Sequence, residues 1–201
     1  MRRLPAREDL PVLRRGADRP DRGREAGQDP GAGVIRAAVV AVCAALVLAG
    51  CSDAPPEKDD RLPDLTLAGF DGAEDVDLGD FTGPAVISVW ASWCGPCRKE
   101  MPVLEEFNAA YGDRVAMLGI DFQDTDAAGA RALVEESGVT YPLVTDELGD
   151  INGEGGFPLL RGLPYVAFVD EDGTLTHVEA VVIDSADELV DMVDEHLGVQ
   201  L

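Results

Sequence analysis

Residues 85–102 read AVISVWASWCGPCRKEMP. The first six are short, apolar and rich in β-branched side chains, with Ser88 the one polar member, which is the composition of a strand buried on both faces. Ala91, Ser92 and Trp93 follow, then Cys94, Gly95, Pro96 and Cys97. From residue 98 to 111 the apolar side chains Met101, Leu104, Phe107 and Tyr111 recur every three or four positions, which predicts a helix. The two cysteines therefore sit where a strand turns into a helix. Free amide groups and the dipole at a helix N-terminus favour a thiolate, so this placement predicts an exposed Cys94 that is ionised near neutral pH and attacks. Cys97, one turn deeper, would resolve the mixed disulfide that forms. Pro96 fits the first helical turn, where a missing amide hydrogen costs little.

Upstream, residues 1–33 are rich in Arg, Gly, Pro and Asp without an apolar period, and cannot form a core. Residues 34–50 are an apolar run interrupted by Arg36 that ends Leu48, Ala49, Gly50, Cys51. A run this short, with small residues before a cysteine, fits a cleaved signal better than a spanning helix of about 20 residues, the alternative being an uncleaved anchor helix with an incidental Cys51. The Arg14, Arg15 pair lacks an adjoining apolar run and is a weak twin-arginine signal. Residues 34–51 resemble a bacterial lipoprotein signal with its lipobox. That resemblance implies that Cys51 is diacylated and becomes the mature N-terminus, lipid-anchored on the extracytoplasmic face of the cell membrane. Residues 1–50 are thus expected to be leader and signal peptide, and residues 51–61, polar with Pro55 and Pro56, the attachment cysteine and a linker. A single domain over residues 62–201 is expected to follow, within the usual size for one core.

The chain has four cysteines. With Cys43 in the signal and Cys51 committed to lipid, Cys94 and Cys97 are the domain's own thiols. A staple closing so short a loop is worth only about 2 kcal/mol, so stability is not its purpose. A closed zinc site needs four ligands, and neither a second cysteine pair nor a nearby histidine exists: His177 and His196 lie far along the chain. A copper site of the Sco kind would need a wider cysteine spacing and a placed histidine. No metal and no cofactor beyond the Cys94–Cys97 couple is expected.

The net charge is −23, and residues 51–201 hold 33 acidic and 7 basic side chains. Such a surface repels phosphate backbones and anionic headgroups, which argues against nucleic acid and electrostatic membrane binding. Arg98 and Lys99 form a basic pair on the first helical turn, a position where such pairs are usually solvated.

Trp93 to Cys97 matches the thioredoxin active-site motif, and the stretch from Trp90 through Arg98, Lys99, Glu100, Met101 and Pro102 resembles the TlpA/ResA-like branch of that superfamily, which is related to AhpC/TSA proteins. The resemblance implies an α/β thioredoxin fold: a mixed central β-sheet flanked by helices, with an N-terminal β-hairpin and a central insertion. Residues 62–78 correspond to the hairpin, with Asp71 and Gly72 near its turn. Residues 115–122 read as a strand, 125–137 as a helix opened by a Thr or Asp cap, and 141–145 as a short strand. Residues 146–161 take the place of the insertion, and Gly153, Gly155 and Gly156 make them loop-like. Residues 166–169 and 175–182 form a hairpin about Asp172 and Gly173, and residues 186–197 a closing amphipathic helix.

What the resemblance implies for the site goes further. Pro164 takes the position of the family's cis-proline beside the cysteines, leaving the Leu163 backbone free to pair with an extended substrate. Trp93, Gly95 and Pro96 belong to the docking surface, and Trp90 to the core. Cytosolic thioredoxins carry a buried Asp six residues before the first cysteine. Here Ser88 stands there, and Glu100 matches the alternative acid of the ResA-like pattern, one helical turn from Cys97. Members are extracytoplasmic reductases, often of apocytochrome c, recharged by a membrane electron donor of the DsbD/CcdA type. The resemblance therefore implies a membrane-anchored thiol-disulfide oxidoreductase acting on protein disulfides. Two alternatives stand beside it: a disulfide-forming oxidase, and a non-catalytic binding lipoprotein. The Thr and Arg setting of a peroxiredoxin-like peroxidase is absent around Cys94.

Overall fold

The computed structural model describes residues 60–201. The signal, Cys43, the proposed lipidation site Cys51 and most of the linker lie outside them.

The six residues of the quoted stretch form β3 (Ala85–Trp90), and every one is buried. Their burial on both faces explains a run that is apolar but for Ser88. β3 pairs in parallel with β4 (Ala116–Phe122), and β4 in parallel with β5 (Leu143–Asp146). On the other side β3 meets β6 (Tyr165–Val169) antiparallel, and β7 (Leu175–Glu179) completes that hairpin. β1 (Thr66–Gly69) adds antiparallel to β5 and carries the two-residue β2 (Val76–Asp77). The mixed seven-stranded sheet has the order β2-β1-β5-β4-β3-β6-β7. The β1–β2 turn passes through Asp71 and Gly72, both at positive φ, as their sequence position implied.

The three α-helices among the described residues are α1 (Gly95–Tyr111), α2 (Ala127–Ser137) and α3 (Ala186–Leu197). The Asp126 carboxylate caps α2 by accepting from the Gly129 amide, and the Ser185 hydroxyl caps α3 by accepting from that of Glu188. Each cap satisfies an amide that the helix itself leaves open. All three helices feed one core on one face of the sheet, where Met101, Leu104, Phe107, Leu133, Leu189 and Val193 meet Val86, Trp90 and Phe168.

The opposite face is closed without a helix. Leu67, Leu78, Ile87, Ile120 and Val169 pack there against Ile151, Phe157 and Leu160 of the 146–161 crossover. Beyond the end of β5 that crossover is made of turns, as its glycines foretold: Gly149, Gly153 and Gly155 sit at φ of 77°, 85° and 53°, which an α-helix cannot accommodate. At the domain's leading edge Asp60 and Arg61 are already engaged. The Leu175 amide donates to the Asp60 carbonyl at 2.7 Å, and Arg61 bridges to Thr174.

Candidate active site

Helix α1 begins three residues earlier than apolar periodicity implied, because the periodic pattern starts only where the helix acquires a buried face. Cys94 is its N-cap, extended at φ −83° and ψ 104°, with Sγ accepting from the Cys97 amide at 3.1 Å. Pro96 lies in the first turn, where its missing amide hydrogen is not needed. Pro102 inside the helix forfeits the bond its amide would give the Arg98 carbonyl.

Cys94 and Cys97 are joined in a disulfide with Cα atoms 5.3 Å apart. One expectation is corrected here. Cys94 is only 3% exposed, hardly more than Cys97 at 1%, because its sulfur is bonded inward and packs into the helix-side core with Trp90. Exposure belongs to its neighbours instead: Trp93 is 59% exposed, and Gly95 and Pro96 are open to solvent. Trp90 is fully buried and packs against Phe70, with ring centroids 5.9 Å apart.

Glu100 is 1% exposed, on the same buried face of α1 as Cys97, Met101 and Leu104. Neither carboxylate oxygen has a hydrogen-bond partner. Burial pushes its pKa up to about 8; the backbone of Ile183 opposes the rise, and the charges of Glu188 and Asp184 add to it. The carboxyl is thus neutral at pH 7 and titrates in the range of an ordinary thiol. Ser88 is buried on β3 and carries no titrating group.

Across from α1, the Leu163–Pro164 peptide is cis, as the family resemblance implied, and Pro164 is buried. Among the described residues no hydrogen bond reaches the backbone of Gly162 or Leu163. Pro96, Arg161, Gly162, Leu163, Pro164 and Tyr165 line a mostly apolar groove of about 380 Å³, whose far wall is Ala180, Val181 and Val182. Periodicity had extended β7 to residue 182. The strand ends at Glu179 instead, and the three residues beyond it are free to form this wall.

Two acids at the site went unread in the sequence. Asp121, 2% exposed, stands opposite Trp90 in the β3–β4 register. Asp124, just beyond β4, accepts from the Ser92 amide at 2.5 Å and from the Asp126 amide at 2.9 Å. It thereby grips the loop two residues before Cys94. Burial pushes Asp121 up to about 8, with the charge of Asp124, a shared hydrogen bond and Glu147 adding to the rise. Burial acts on Asp124 in the same direction, but its donors outweigh it and hold that carboxyl below the usual range. A lone Asp in the apolar run of β4 was the available signal. Replacing Asp124 by alanine leaves two amides without their acceptor, and should destabilise the fold by about 1–3 kcal/mol. Amide hydrogen exchange at Ser92 should accelerate while α3 stays protected; unchanged exchange there would show that Asp124 does not hold the loop.

A disulfide between residues three apart, at the N-terminus of a helix that follows a buried interior strand of this sheet, defines the class of protein: a thiol-disulfide oxidoreductase of thioredoxin-like fold. Comparison with known proteins agrees. The chain belongs to the Redoxin family, which it matches over residues 57–193. It is 29% identical over 125 residues to the thioredoxin-like protein YneN of Bacillus subtilis (strain 168), covering 61% of this chain and 71% of that one. It is 31% identical over 113 residues to the thiol-disulfide oxidoreductase ResA of Bacillus thuringiensis subsp. konkukian (strain 97-27), covering 55% of this chain and 62% of that one. In fold it is similar to a DsbF homologue from Corynebacterium diphtheriae, with a TM-score of 0.58 at 24% identity over 71% of this chain and 96% of that one.

Proposed function

We propose that this protein is a lipid-anchored reductase of protein disulfides on the extracytoplasmic face of the cell membrane, with apocytochrome c among its substrates. A membrane electron donor of the DsbD/CcdA type returns the dithiol to its reduced form. The observation that carries the reading is the buried, unpartnered Glu100 one turn behind Cys97, at the end of a helix whose N-terminus favours a thiolate.

In the proposed cycle the Cys94 thiolate attacks one sulfur of the substrate disulfide. A bond forms to Cys94 Sγ, the substrate S–S bond breaks, and the departing thiolate takes a proton. Cys97 gives its proton to the ionised form of Glu100 and attacks Cys94 Sγ, which releases the second substrate thiolate. The substrate gains two electrons and two protons, and the protein is left as the Cys94–Cys97 disulfide. Glu100, with a pKa of about 8, is matched to move protons between thiols. Leu163 and Pro164, with Trp93, Gly95 and Pro96, dock the substrate segment. Cys51 carries the lipid that sets the site of action.

Equilibration of the full chain with glutathione buffers tests the direction. A reductase has a midpoint nearer −270 mV, in the range of thioredoxin, while a disulfide-forming oxidase lies near −120 mV. A midpoint near −120 mV would overturn the reductase reading in favour of the oxidase.

A further inference from the structure

The described domain holds 30 acidic and six basic side chains over residues 60–201, and its few cations are distributed unevenly in their partners. Arg61 donates to the Asp172 carbonyl, Arg114 is bonded to the Gln200 carbonyl, and Arg131 reaches Asp71 at 3.4 Å. Arg98 is bonded to Glu136 at 2.7 Å, which separates it from the neighbouring Lys99. Among the described residues this leaves Lys99 and Arg161 as the cations with no carboxylate or carbonyl partner.

One of them lines the groove, and the other lies one helical turn beyond a residue that does. Arg161 lines it directly, together with Pro96 of the dithiol motif. Lys99 follows Pro96 by three residues on α1 and so stands one turn along on the side of the helix that Pro96 presents to the groove. Cys97, Glu100 and Met101 turn into the core, which leaves Lys99 exposed. The apolar floor of Pro164, Leu163 and Val181 suits an extended segment, and the unbonded backbone at Gly162 and Leu163 offers it strand-like pairing.

We propose that this groove selects disulfide-bearing segments in which carboxylates flank the reactive cysteine, with Arg161 and Lys99 as the specificity-determining residues. The inference rests on the reductase reading above and names the substrate class for that site. Elsewhere the domain's surface repels such a segment, so the two cations fix where it lands and how it lies. The domain's remote charges are damped beyond roughly 8 Å at physiological salt, whereas these two act at contact distance. The complementarity therefore acts on orientation and choice among substrates.

The test uses the reduced full chain at constant ionic strength and three peptides with one internal disulfide each, identical except for Asp, Ser or Lys beside the cysteines. The Asp peptide should be reduced with a kcat/KM about three- to tenfold above the Lys peptide, the Ser peptide falling between, as expected for two partly exposed ion pairs. The double variant Arg161→Gln, Lys99→Gln should bring that ratio to one or below. Arg131→Gln removes one charge from a residue that pairs with Asp71 and does not line the groove, and should leave the ratio as it was. A ratio of one or less in the unaltered protein overturns the inference, as does a ratio that survives the double variant or falls equally with Arg131→Gln. Failure to reduce any of the three peptides overturns the reductase reading itself, and this inference with it. Brisk reduction without preference overturns the inference alone.

Discussion

Cys94→Ser should abolish disulfide reduction by the full chain, with a loss of at least about a thousandfold in insulin-disulfide turnover. A serine hydroxyl is not ionised near neutral pH even at a helix N-terminus, and an oxygen cannot replace sulfur in the exchange. Cys97→Ser should behave differently. The first attack, by Cys94, remains possible, but no group then displaces the substrate, so the mixed disulfide persists. Expressed in its native envelope, the Cys97→Ser chain should migrate as covalent adducts on non-reducing gels, and mass spectrometry of those adducts names the physiological partners. Cys94→Ser should form none. Residual turnover in Cys94→Ser, or an absence of adducts with Cys97→Ser, would count against a dithiol exchange mechanism at this site.

The second large effect is on stability as a function of pH. Burial raises the pKa of Glu100 from an ordinary 4.5 to about 8, and that of Asp121 from 3.8 to about 8. Between those limits the unfolded chain has released both protons while the folded protein retains them. Stability therefore falls as pH rises through this window, by about 1.4 kcal/mol per pH unit for each such group. Below the unfolded pKa the stabilisation is complete, and above pH 8 the slope from these two groups vanishes. Chemical denaturation at pH 5.5, 6.5 and 7.5 should show a steep decline. Glu100→Gln keeps the shape of the side chain and removes its proton equilibrium, so its slope should be shallower by about one proton's worth. Parallel profiles for the two proteins would mean that Glu100 is ionised in the folded state. The repulsion among the many surface carboxylates is common to both proteins and cancels in the comparison.

The legibility of this protein followed the range of the interactions involved. The strand, the cysteine pair and the helix after it lie within one stretch of chain, and their spacing is set by local geometry. Glu100 was reached through the resemblance to the ResA-like pattern, since spacing alone fits an exposed helix glutamate equally well. Cys94 was misjudged because its burial depends on Trp90 and the packed helix face, which no local pattern reports. Asp121 and Asp124 were missed because their partners, Trp90 and Ser92, come from the neighbouring strand and the loop beyond it. The groove required the end of β7 to be known, and apolar character ran past it through Val181 and Val182. The lack of a helix in the 146–161 crossover was legible in its glycines. Which face of the sheet that crossover covers was settled only by the burial of Ile151, Phe157 and Leu160.

The engagement of Asp60 and Arg61 with Leu175 and Thr174 gives the domain a polarity. Because β6 runs antiparallel to β3, Val169 at the β6–β7 turn pairs with Ala85, at the start of β3, while the disulfide lies beyond Trp90 at its finish. Chain entry and chemistry are therefore at opposite poles, separated by at least the length of β3, roughly 20 Å for six extended residues. Whatever holds the chain upstream of residue 60 pulls on the pole away from the sulfurs. Under the anchoring at Cys51 proposed above, the reactive end faces away from the attachment point, and lengthening or shortening residues 52–59 changes the distance between them without touching the site.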